Sequence, residues 1–267
     1  MGNAFFVVWR ESLEAFLIVG ILYAWLKAND DSGKGRRALF IGLAAGVGLA
    51  LLLGVALLSV QDELTGQALE AFQTGTLLVA AGLITQMVLW MRQHGRQIKA
   101  RLYADLSAAA ERSGFVGVAV VAALAVAREG AETVIFLYGL AQGGEMSALF
   151  IGSLAGLVGA AATAWLAAKS LARLNIGLLL RLSSILLLVL ASSLLVAAID
   201  RLIGADWLPA LLDPVWDSSW LIDDSSTGGK LMADFSGYRA RPALSTLLAW
   251  AAYWGVVMFG YRSSGRG

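Results

Sequence analysis

The sequence predicts an all-α integral membrane protein with seven transmembrane helices, and three observations predict it. Of the 267 residues, 58% are hydrophobic and 15% charged, whereas roughly a quarter of a soluble domain is charged. Apolar runs of about 20 residues, the length that crosses a bilayer, recur along the whole chain. Basic residues collect on alternate connections between those runs.

The seven runs cover 4–26, 38–60, 71–91, 115–140, 147–168, 177–199 and 242–261. The first has no basic residue ahead of it and carries charge within it, so it reads as a span and not as a secretory signal peptide. The second opens ALFIGLAAG (38–46) and the fifth opens ALFIGSLAG (148–156), identical at seven of nine positions. Their pairs Gly42/Gly46 and Gly152/Gly156 have the G-x-x-x-G spacing that lets membrane helices approach closely. The third opens EAFQTG (70–75), setting Glu70 and Gln73 at the boundary of the span. The fourth contains REGAE (128–132), matching RESLE (10–14) of the first. The sixth is apolar apart from Arg181 and four serines, and a connection at 200–241 separates it from the seventh.

Charge orients the chain. The connections after runs 1, 3 and 5, with the C-terminal tail, hold fourteen of the twenty basic residues, among them Lys27, Arg36, Arg92, Arg96, Lys99, Arg173 and Arg266. The short connections after runs 2 and 4 hold none. The positive-inside rule therefore places the N-terminus outside and the C-terminus in the cytoplasm. Acidic residues show the opposite bias: Asp62, Glu63, Glu70, Glu145, Asp200, Asp223 and Asp224 are among eleven on the outer side. Such a surface concentrates cations at the outer mouth, although solvated acidic loops would look the same.

The matched segments divide the chain into two blocks, repeat A at about 4–92 and repeat B at about 115–203. Run 1 enters from outside and run 4 from the cytoplasm, so the expected arrangement is an inverted 3+3 repeat plus a seventh helix. Transporters of that architecture hold their substrate near the midplane, between the repeats. The whole chain is then one transmembrane domain.

Runs 1 and 4 carry six ionisable residues, Arg10, Glu11, Glu14, Arg128, Glu129 and Glu132. Each costs about 2.5–3.5 kcal/mol at a span's centre on insertion scales. Residues three apart share a helix face, so Glu11 pairs with Glu14 and Glu129 with Glu132. Each arginine lies four residues before the second glutamate and can offset part of its charge. Two Arg–Glu bridges locking the helices together would also use these residues. A lock needs one carboxylate per arginine, however, and buried ion pairs add little stability. The surplus carboxylates suit a cation. An oxygen-only set favours hard ions.

The chain has no cysteine, which excludes disulfides and thiolate sites. Its one histidine, His94, falls in the connection after run 3, which leaves no imidazole ligand in the membrane and argues against a carboxylate-metal membrane enzyme. No G-x-x-x-x-G-K-[ST] loop occurs, so a nucleotide does not drive the protein directly. A sensor or assembly subunit would need a soluble domain larger than 200–241. No organic cofactor and no nucleic-acid partner are expected.

These residues resemble the high-affinity iron permeases, the fungal oxidase-coupled and bacterial Efe-type members alike, whose R-E-G-L-E motif recurs in helices 1 and 4 of a seven-helix fold. Here Ser12 replaces the glycine of the first motif and Ala131 the leucine of the second. MVLWMR (87–92), AVAREG (125–130), WDSSWLIDDSS (216–226) and GYRARP (237–242) extend the likeness over nearly the whole chain. Gln73 stands where bacterial members commonly have a glutamate. The resemblance implies inward iron transport, as Fe2+ or Fe3+, across the cytoplasmic membrane. It implies Glu11, Glu14, Glu129 and Glu132 as metal ligands and Arg10 and Arg128 as compensating charges. Glu70, Gln73, Asp223 and Asp224 form a candidate access site. A periplasmic or extracellular iron-binding or oxidase partner is implied as well. Some relatives are associated with lead, so Pb2+ or another divalent cation is the alternative cargo.

Overall fold

The computed structural model describes residues 2–30, 33–94, 97–142, 146–169, 176–224 and 226–263. Arg96, Glu145, Arg173 and Arg266 lie outside the described residues, as do the side chains of His94 and Lys99. Eight helices follow one another among the described residues: α1 (Gly2–Asn29), α2 (Lys34–Glu63), α3 (Gly66–His94), α4 (Ile98–Ala141), α5 (Met146–Lys169), α6 (Ile176–Gly204), α7 (Thr227–Ser236) and α8 (Leu244–Ser263). No described residue is in a strand. Among the described residues, six helices are long and apolar enough to cross a membrane: α2, α3, α4, α5, α6 and α8. Helix α1, which contains the first apolar run and is 28 residues long, is not among the six, and it carries Arg10, Glu11, Glu14 and Lys27.

The helices overshoot the apolar runs at most ends, because polar and basic residues continue the backbone ladder past the apolar stretch. Two departures are larger. Residues 98–113, expected in a connection, form the first part of α4, which bends at Gly114 (φ 56°, ψ −134°). That backbone conformation is open to glycine and closed to most L residues. The second is α7, inside the connection 200–241. Ser226 caps its first turn by accepting from Gly229 N, and Gly237 ends it in the left-handed conformation (φ 74°).

The chain divides into two compact units. The first comprises Met1–Ser59, His94–Tyr138 and Met146–Ile176, and the second Val60–Gln93, Gly139–Glu145 and Gly177–Gly267. In the first unit α1 packs on α5, and α2 on α4, through glycines. A β-carbon added at Gly156 would stand 2.6 Å from Phe5 O, 3.0 Å from Trp9 N and 3.1 Å from Val8 Cβ; one at Gly46 would stand 2.7 Å from Ala123 O, 3.0 Å from Ala127 N and 2.9 Å from Val126 Cβ. Phe5, Val8 and Trp9 each lie 118 positions before Ala123, Val126 and Ala127. Gly42 presses on Ala119 O in the same way. The Trp9 indole adds a hydrogen bond to Thr163 Oγ1 (3.2 Å).

Away from the charged motifs, the first unit holds an apolar cluster of Leu22, Leu26, Ala38, Leu39, Leu106, Val118 and Ala122. Leu106 is fully buried there, so the helix before the Gly114 bend is fixed to the spans by its apolar side. In the second unit, the Thr85 hydroxyl bonds Tyr253 Oη (3.2 Å), which donates to Leu188 O (2.9 Å). These bonds join α3, α8 and α6.

Candidate metal centre

The helical turn sets the first level of the centre. Arg10 Nη2 lies 2.6 Å from Glu14 Oε1 one turn along α1, and Arg128 Nε lies 3.1 Å from Glu132 Oε1 one turn along α4. Arg10 also reaches Glu11 Oε1 at 2.8 Å, whereas Arg128 stands 4.0 Å from Glu129 Oε1. Both second contacts join neighbours in sequence, so helical spacing alone does not separate them.

Packing sets the second level. Gly130 follows Glu129, and a β-carbon there would stand 2.6 Å from Ala50 Cβ on α2. The missing side chain lets α4 sit close enough to bring its carboxylates inward. Arg10, Glu11, Glu14 and Glu129 are all buried. Glu11, Glu14 and Glu129 each offer a carboxylate oxygen, and these three oxygens lie within 4.8 Å of one another. They are the one such group of acidic, histidine or cysteine ligands among the described residues. Glu132 is outside that trio, tied to Arg128, and its Oε2 is buried without a hydrogen-bond partner; Glu11 Oε2 is in the same state. A carboxylate oxygen buried without a donor is disfavoured, and a cation offsets that penalty directly.

The candidate access residues are dispersed by comparison. Glu70 is exposed near the start of α3. Gln73, one turn further on, accepts a hydrogen bond from Arg201 Nη1 (2.6 Å), and Arg201 also donates to Gln142 O (3.4 Å). Asp224 accepts from Ala240 N with both oxygens at 3.0 Å. Asp223 is exposed and sends its carbonyl to the Ser226 hydroxyl.

Sequence reasoning missed the ties that organise the connection between α6 and α8. Arg239 Nε pairs with Asp200 Oδ2 at 2.6 Å, and Asp200 Oδ1 accepts from Thr246 (2.9 Å). Arg241 pairs with Asp217 at 3.0 Å. Hydrogen bonds from the Ser219 hydroxyl and amide, with Arg241 beside it, hold the Asp217 carboxyl below its ordinary range. Burial pushes Asp234 up. Asp200, Asp217 and Asp224 each hold a partner within or beside the connection. The basic residues of GYRARP were the available signal.

Apolar helices in series, with acidic groups gathered inside the protein, define the class: a multi-pass membrane transporter, in which intramembrane charge marks the ion path. The chain belongs to the iron permease FTR1 family, whose profile matches residues 1–262. It is 30% identical over 251 residues to the ferrous iron permease EfeU of Escherichia coli O157:H7, covering 93% of this chain and 91% of the relative. The same figures hold for the protein of that name from Shigella sonnei. The Yersinia pestis ferrous iron permease EfeU is 33% identical over 156 residues, or 58% of this chain and 55% of its own. No solved structure matches the chain. The protein is thus an iron permease of the cell membrane, a transporter and not an enzyme.

Proposed function

We propose that the protein carries ferrous iron inward through the carboxylates of Glu11, Glu14, Glu129 and Glu132. The observation that carries this reading is the convergence of Glu11, Glu14 and Glu129 from two helices into one buried group. Charge supports it further. With all six motif groups ionised, four carboxylates and two guanidiniums leave two negative charges, which one divalent cation neutralises. The relatives named as ferrous iron permeases point to the same oxidation state.

On this reading α1 is the seventh span, the N-terminus is outside and the C-terminus is cytoplasmic. The two blocks form an inverted repeat, a reading supported by the matched contacts at Gly46 and Gly156. Arg128, its side chain 50% exposed, marks the side from which water and the ion reach the carboxylates, since a guanidinium inside a span needs water or a partner. The ion meets Glu132 and Glu129 first and Glu11 and Glu14 next, taking over the contacts that Arg10 makes without it. The apolar cluster at Leu22 begins eight residues past Glu14, about 12 Å along the helix. It is the dry barrier that alternating access must open. Glu70, with Gln73, Asp223 and Asp224, is the access region, and a periplasmic iron-binding or oxidase protein would deliver there.

The test is uptake of radioactive ferrous iron into proteoliposomes containing this protein alone. Glu14→Gln and Glu129→Gln should each lower the initial rate at least about tenfold, the effect of losing roughly 1.4 kcal/mol of transition-state binding. Near-normal uptake by both variants removes the site. Preference for ferric or lead ions in competition would keep the site and change the cargo.

A further inference from the structure

From the second unit we infer that the segment 207–216, between α6 and α8, is seated in the membrane interface and makes a lipid contact there, beyond the permeation path. Trp207, Leu211, Leu212 and Trp216 are all exposed, Leu211 at 66%. Their depth follows from hydrogen bonds. Trp207 N donates to Leu202 O on the last turns of α6 (2.9 Å), so Trp207 stays at that helix end. Leu244 N donates to Leu212 O (2.9 Å), Ser245 N to Ala210 O (3.3 Å), and the Ser245 hydroxyl to Pro209 O. Residues 209–212 are therefore held level with the first turn of α8, where a membrane-crossing stretch begins at Leu244.

The segment then climbs beside the descending chain. Val215 N bonds Pro242 O (2.9 Å), two residues above Leu244. Two residues reach at most about 7 Å, and each headgroup layer is about 5–8 Å thick. Val215 thus remains within the headgroup layer, and Trp216 is the next residue along, at or just beyond its outer edge. Leu248, on the next turn of α8, is exposed as well. Tryptophan favours that boundary, with an apolar body and one polar N–H. A solvated loop would have no use for Leu211 and Leu212 side by side and exposed. The partner that fits is the headgroup and upper acyl region of the bilayer.

The test exploits the absence of native cysteine. Leu211→Cys and Trp216→Cys, with Lys230→Cys on α7 as the aqueous reference, each take one nitroxide label. The labelled full-length proteins are reconstituted in phosphatidylcholine–phosphatidylglycerol vesicles after each is shown to retain iron uptake. Electron paramagnetic resonance saturation then compares relaxation by oxygen with relaxation by a water-soluble nickel chelate. Lipid seating predicts that oxygen outranks the chelate at 211 and 216 and that the order reverses at 230. An aqueous pattern at 211 and 216 overturns the inference. Shielding from both agents overturns it equally, because it would mean that protein covers the segment.

Discussion

RESLE on α1 and REGAE on α4 carry the same charged residues at the same spacing, yet they form unlike halves of the centre. In the first, Arg10 is 1% exposed and grips both of its glutamates; in the second, Arg128 has half its side chain exposed and lies 3.1 Å from Glu132 but 4.0 Å from Glu129. The spacing dictates the ion pair one turn along each helix. It does not dictate how deeply each guanidinium is buried, because that depends on what packs over the helix. The α1 motif is a closed set in which one guanidinium serves two carboxylates, while the α4 motif leaves its arginine half exposed. One motif, used twice, sits in two unlike surroundings.

The largest effect separating the halves should come from the arginines. Arg10→Met leaves Glu11 and Glu14 buried beside each other without their cation, a change worth about 3–5 kcal/mol. Arg128→Met removes a partly solvated pair, worth about 1 kcal/mol or less. Thermal unfolding of the two variants in one detergent measures the gap, and equal losses would show that the halves are equivalent after all.

The third residue of each motif gives a smaller contrast. Gly130→Ala drives a β-carbon into Ala50 on α2, and overpacking of this kind costs about 1–3 kcal/mol. Ser12→Ala shortens a half-buried side chain and should shift the unfolding midpoint little. If Ser12→Ala proved the more damaging, the close approach at Gly130 would not be what brings Glu129 inward.

Much of this was readable from residues alone. Long apolar runs and alternating basic connections announced the helices, and the repeated R-E-x-x-E pentapeptides announced the carboxylates. The helix at 98–113 was missed because its apolar positions, Leu102, Leu106 and Ala110, sit in a polar, basic stretch that reads as a cytoplasmic loop. Their spacing of four was the signal. Gly114 was not read as a bend, since a left-handed backbone angle leaves no mark on a glycine's identity. The acidic residues of 200–241 were read by sign alone, yet Asp200, Asp217 and Asp224 have nearby chain partners in Arg239, Arg241 and Ala240. The unequal burial of Arg10 and Arg128 was beyond reach, because the two motifs share their charged residues and spacing, and burial depends on what packs over each helix.

The most direct test is anaerobic titration of purified protein with ferrous iron, followed calorimetrically, for wild type and for Glu14→Gln/Glu129→Gln. Convergence of these glutamates on one ion predicts a single high-affinity ion per chain in wild type. It also predicts loss of that binding in a double variant that still folds. Undiminished stoichiometric binding by a folded double variant would place the iron elsewhere in the chain.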